Sequence, residues 1–111
     1  MENILILYQH DYAKQEIINK LVNTQKYHVK IAQHETIITN DKFFIRMRKL
    51  PSDINKLRGY KAGHLYVEDY PNLNLTEEDK FCLYTIIAWN GNKEVLSFNV
   101  WNLGELIAKF K

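Results

Sequence analysis

ETIITNDKFFIRMRKLPSDINKLRGYKAGHLYVEDY, residues Glu35 to Tyr70, decides how this chain folds. Thr36 to Thr39 is β-branched, Asn40-Asp41 makes a tight turn, and Lys42 to Met47 returns as a strand. ETIITNDKFFIRM therefore reads as a hairpin. Pro51, Ser52 and Asp53 suit a helix entry, and INKLRG is a short helical turn stopped by Gly59. Gly63 to Glu68 then forms a second kind of strand, apolar until it ends in two acids, Glu68 and Asp69.

Upstream, NILILY (Asn3 to Tyr8) is a continuous apolar run, the mark of a strand buried on both faces. Asp11 is placed to cap a helix. Ala13, Ile17, Ile18, Leu21 and Val22 recur at helical spacing as far as Asn23. Lys26 to Gln33 alternates, with Tyr27, Val29 and Ile31 opposite His28 and Lys30, and predicts a half-exposed strand.

Downstream, Thr76 with TEED gives a capping-box-like start. The helix from Glu77 to about Asn90 is apolar nearly all round (Phe81, Leu83, Tyr84, Ile86, Ile87, Trp89) and is expected to be largely buried. A hairpin about Asn90-Gly91 competes with it, but the N-terminal signals favour the helix and Asn-Gly also suits its stop. Val95 to Val100 is a strand. Trp101 or Asn102 opens a last helix, LGELIAKFK, with cations at its end. The alternation predicts a single α/β domain over residues 1–111. Its expected form is a three-layer sandwich with a mixed, mainly parallel sheet and NILILY and HLYVED as central neighbours.

At 111 residues the chain can build one modest core, and seven Tyr, five Phe and two Trp supply much of its bulk. A net charge of +2 neither demands nor excludes nucleic acid. Cys82 is the single cysteine, lies in an apolar stretch and fits a buried thiol in a reducing compartment. No apolar run is long enough to span a membrane, and MENILILYQHDYAK lacks the marks of a signal peptide, so a cytoplasmic chain without a membrane partner is expected.

The order of elements resembles that of phage terminase large subunits and related helicase-like ATPases. In that family a strand and helix precede a small hairpin, an Arg-Gly element and a strand ending in two acids. Here these are Thr39-Asn40-Asp41, Phe44-Ile45-Arg46, Leu57-Arg58-Gly59-Tyr60-Lys61-Ala62 and Leu65-Tyr66-Val67-Glu68-Asp69. The resemblance puts Glu68 in the place of a metal-handling carboxylate and Asp69 in that of a water-orienting one, in reversed order. The family's phosphate loop is absent, because Gly59, Gly63, Gly91 and Gly104 are too isolated to build one. Without its amides and lysine a triphosphate has no cradle. The resemblance therefore implies a degenerate P-loop NTPase core that has lost ATP hydrolysis. A phage or mobile-element origin follows from it as well, with the host cytoplasm as the place of action.

Of the remaining residues, Arg46, Arg48, Lys49, Lys56, Arg58 and Lys61 form the densest basic group, with Phe43, Phe44 and Tyr60 nearby. They could meet phosphates and stack on bases, or form a solvated strand and loop face. Arg58 has a structural alternative, pairing with Glu68 or Asp69 at the strand end. Those two acids make either a polar strand end facing solvent or a residual acidic site. Two acids without a third ligand are a weak metal site. His10, His28, His34 and His64 show no metal spacing, although His64 is placed to hydrogen-bond within the sheet. No catalytic residue, metal or cofactor is assigned. A metal-dependent nuclease using Asp69 with Lys93 or Glu94 is the enzymatic alternative. The expected function is non-catalytic binding to a host or phage protein, with nucleic-acid binding through residues 46–61 as the alternative.

Overall fold

The computed structural model describes every residue except Gln25 and Lys93. Its elements run β1 (Glu2–Tyr8), α1 (Asp11–Thr24), β2 (His28–Ile31), β3 (Glu35–Thr39) and β4 (Phe43–Lys49). A 3-10 turn (Ile54–Leu57) leads to β5 (His64–Glu68), and a shorter one (Tyr70–Asn72) follows it. Then come α2 (Glu77–Ala88), β6 (Val95–Phe98) and α3 (Leu103–Ala108). The six strands form one mixed sheet in the order β2-β3-β4-β1-β5-β6. β4, β1, β5 and β6 run parallel, while β3 is antiparallel to both β2 and β4.

The two apolar runs lie side by side as expected: Leu5 pairs with Leu65 and Leu7 with Val67 in the centre of the sheet. Residues of β1 alternate between two cores. Ile4, Ile6 and Tyr8 pack with Ala13, Ile17 and Leu21 of α1 and with Leu103, Leu106 and Ile107 of α3. Leu5 and Leu7 pack with Leu65, Val67 and the α2 residues Cys82, Leu83, Ile86 and Ile87. Each fully buried aliphatic side chain contributes about 1.5–3 kcal/mol.

Local chemistry sets the boundaries. Asn40 Oδ1 accepts from the backbone N–H groups of Lys42 (2.9 Å) and Phe43 (2.8 Å), which closes the β3–β4 hairpin. Thr76 Oγ1 accepts from Asp79 N–H, and the Asp79 carboxylate accepts from Thr76 N–H, a complete capping box for α2. Gly59 follows the first 3-10 turn at φ +88°, a conformation that costs a side chain energy but not glycine.

Three expectations need correction. Every residue of β2 is exposed, Val29 and Ile31 included, so this strand is an uncovered sheet edge; of its expected apolar side only the preceding Tyr27 is buried. α2 is buried on one side only: Phe81 is exposed, as is Trp89 just beyond the helix, because they lie away from the face that packs on β1 and β5. Asp11 is the first helical residue rather than the cap, since the His10 carbonyl accepts from the N–H groups of Ala13 and Lys14.

Phe110, just beyond α3, closes the α1–α3 core. Phe110 is 2 % exposed and meets Phe43 and Tyr66 edge-to-face, with ring centroids 5.4 and 5.8 Å apart. Its carbonyl accepts from the Tyr27 hydroxyl. Burial raises the Tyr66 phenol above its ordinary value, and the Glu2 carboxylate pushes the same way. Burial raises Tyr27 too, against a hydrogen bond with Asn40. No helix among the described residues is long and apolar enough to cross a membrane.

Candidate functional site

At the carboxyl end of β1 the chain turns into α1 on one face of the sheet. At the carboxyl end of the neighbouring β5 it passes on to α2, on the other. Diverging connections open a crevice there, the place where open α/β sheets hold ligands. In this chain the crevice floor is filled by Glu68.

Glu68 is 1 % exposed, so its side chain points inward and does not form a solvated strand end. Its Oε1 accepts from the backbone N–H of Gln9 at 2.7 Å and of His10 at 3.1 Å. Its Oε2 meets the His10 Nδ1. The Gln9 side-chain amide donates to the Glu68 carbonyl. An ionised Glu68 carboxylate can only accept, and opposite it the neutral His10 ring would carry its proton on Nδ1 and leave Nε2 unprotonated. The expected partner, Arg58, is elsewhere: its Nε donates to Asn55 Oδ1 at 3.1 Å, and its side chain lines a groove with Glu77, Glu78 and Phe81. Arg58 is ten residues upstream of Glu68 but sits on the connection into β5. His10 is 58 residues away, yet follows the strand that pairs with β5.

Asp69 takes the left-handed conformation, φ 56° and ψ 35°. Non-glycine residues there are strained, least so Asn and Asp. Its N–H donates to the Phe98 carbonyl at 2.6 Å, and its Oδ1 accepts from Asn72 Nδ2 at 2.6 Å. The turn sends Asp69 away from the pocket that Glu68 fills, so the two acids form no shared site.

The His10 ring is 68 % exposed. It lines a groove of about 500 Å³ with Tyr12, Val100 and Trp101. Asn99 shapes the far wall: its Oδ1 accepts from the N–H groups of Trp101 (2.9 Å) and Asn102 (3.1 Å) and holds the turn into α3. The indole of Trp101 is 88 % exposed and Tyr12 is 63 % exposed. At the edge of this region Lys49, the last residue of β4, lies 4.0 Å from the Asp11 carboxylate.

The basic segment divides among several elements. Arg46 and Arg48 alternate with the buried Ile45 and Met47 on β4. They therefore lie on the face of the sheet opposite α1. The Tyr60 ring is 4.4 Å from the Arg46 guanidinium and 5.4 Å from that of Arg48, and its hydroxyl accepts from Arg48 Nη1 at 2.8 Å. Glu35 Oε2 accepts from Arg46 Nε at 3.3 Å. Phe44 shares this face, whereas Phe43 packs on Phe110. Lys56 and Arg58 sit on or beside the first 3-10 turn, and Lys61 is exposed in the link to β5.

His64 Nδ1 lies 3.4 Å from the Asn92 amide, beside rather than within the sheet. Lys93, named with Asp69 and Glu94 for a nuclease, lies outside the described residues. Among the described residues no three His, Cys, Asp or Glu groups are placed to hold a metal ion together. Cys82 is buried, its thiol 3.6 Å from the Ile54 carbonyl. A further cleft of about 830 Å³ is at the opposite end of the sheet between Tyr27, Asp41, Lys42 and Phe110. Asp41 and the lysines that line it are exposed, so the ordered polar groups make the carboxyl end the better site. The sequence missed His10 in this role. The signal was present, because neighbouring parallel runs ending Tyr8-Gln9-His10 and Val67-Glu68 bring both residues to one edge. No protein-family model, curated protein or solved structure matches this chain.

Proposed function

We propose that this chain acts by binding a protein partner and does not hydrolyse nucleotides. The observation that carries the partner is the exposed aromatic pair, Tyr12 and Trp101, beside the His10 groove. Large aromatics left in water at a shaped edge are the usual anchors of a protein interface. The absence of hydrolysis is supported by Glu68. It engages the N–H groups of Gln9 and His10 in the connection from β1 to α1, the connection that carries the phosphate loop in a P-loop core. Cores on both sides of the sheet are compatible with a three-layer, terminase-like core that has lost its phosphate loop, and with a phage or mobile-element origin. A bacterial host or phage protein is the partner expected on that basis.

A second reading has its own support. Arg46, Tyr60 and Arg48 form a stacked basic group on a sheet face that also carries Phe44, which suits single-stranded nucleic acid. Glu35 already offsets one of the two arginines, which weakens it. Salt separates the readings. Bait-bound partner is expected to survive nuclease treatment and a rise from about 50 to 200 mM salt, and to be lost from a Tyr12→Ser, Trp101→Ser variant. Direct oligonucleotide binding that falls steeply over that range, with a slope lowered by about 0.7 in Arg48→Ala, would replace the first reading with the second.

A further inference from the structure

We propose that His10 is a phosphoryl-accepting residue, modified on Nε2 by a small activated phosphate donor of the acyl-phosphate or phosphoramidate class. The inference goes beyond the binding role and does not depend on it. Four observations converge on this one side chain.

The ring is held in one tautomer. Glu68, itself buried and fixed by two backbone N–H groups, lies against Nδ1, and as an ionised carboxylate it holds the proton there and leaves the Nε2 lone pair free. The reactive side is open, since the imidazole is 68 % exposed and borders a groove of about 500 Å³ that a donor can enter. As Nε2 bonds to phosphorus the ring gains positive charge, and the Glu68 carboxylate is already against the nitrogen that shares it. His10 itself immediately precedes α1, a helix of 14 residues whose amino end favours negative charge. The acid nearest in sequence, Asp11, faces the Lys49 ammonium at 4.0 Å, and Asp69 is engaged by Asn72, so neither stands as an isolated repelling charge. The same carboxylate that denies a nucleotide its amide cradle thus prepares a histidine for covalent transfer.

In the step, the Nε2 lone pair forms the N–P bond while the bond from phosphorus to the leaving group breaks. The leaving group departs with that electron pair, as a carboxylate from an acyl phosphate, or directly as ammonia from a phosphoramidate whose nitrogen is already protonated. The Nδ1 proton stays on the ring against Glu68. Hydrolysis of the N–P bond returns His10.

The test is treatment of the purified chain with potassium phosphoramidate, followed by peptide mapping at alkaline pH and phosphorus NMR. Acid-labile phosphate is expected on His10 Nε2, forming about tenfold or more faster than on the exposed His28 and His34, which corresponds to about 1.4 kcal/mol of barrier. Glu68→Gln should reduce His10 to the rate of those two, and His10→Gln should abolish the fast phase. Equal labelling of the three histidines in the unaltered chain, or labelling of His10 on Nδ1, would overturn the proposal without any variant having to fold. So would a fast phase unchanged in a folded Glu68→Gln protein.

Discussion

Glu68→Ala is expected to remove about 2–4 kcal/mol of folding stability. The side chain is 1 % exposed and joins the ends of two central strands. Its loss takes the acceptor from the N–H groups of Gln9 and His10 and from the His10 Nδ1. A half-buried donor such as the Gln9 N–H costs about 1–3 kcal/mol when left without its acceptor, whereas the exposed His10 groups regain water. For a domain of this size the melting temperature should fall by more than about 10 °C. Glu68→Gln keeps an acceptor for the backbone groups and turns an amide donor toward Nδ1, so its loss should be smaller, about 1–2 kcal/mol. Urea unfolding of the three proteins measures the series. A Glu68→Ala midpoint equal to that of the parent would show that the carboxylate does not hold the two strand ends together.

Phe110→Ala is expected to cost a similar amount, about 3–5 kcal/mol. The ring fills the space between Phe43 and Tyr66, and the backbone beside it accepts from Tyr27. Truncation leaves a cavity between β4, β5 and the segment that enters β2, three parts of the chain far apart in sequence. Because Tyr27 and Tyr66 owe their raised pKa values mainly to burial, the cavity should also bring both back toward the ordinary phenol value. Ultraviolet titration of the variant reads this directly. A loss under about 1 kcal/mol, with unchanged tyrosine titration, would mean that Phe110 is not part of the core.

The fold was readable where one-dimensional pattern and three-dimensional environment agree. Unbroken apolar runs at Ile4–Leu7 and Leu65–Val67 meant burial on both faces, and the structure pairs them at the centre of the sheet. The Asn40-Asp41 turn and the Thr76 cap are local chemistry, decided within four residues, and both formed as read. What failed depends on neighbours that sequence does not name. Val29 and Ile31 carry the alternation of a half-buried strand, but β2 is the sheet edge and both side chains are exposed. Phe81 looks like core until the single buried side of α2 is known.

The site was half legible. Alternation along a strand says that only one of Glu68 and Asp69 turns inward, but the choice rests on the left-handed backbone at Asp69. Its partner rests on which strand lies alongside. Arg58 was the nearer candidate in sequence, whereas parallel pairing with β1 delivers His10. Arg46 and Arg48 lie against the Tyr60 ring, while the other basic residues of that segment are carried by different elements.

Calorimetric titration of Mg-ATP and Mg-GTP into the unaltered chain tests most directly whether Glu68 has taken the place of a phosphate cradle. No saturable heat is expected, because the N–H groups of Gln9 and His10 already have an internal anionic acceptor. A saturable isotherm with a dissociation constant near about 1 μM, equivalent to about −8 kcal/mol, would contradict this and restore a nucleotide site.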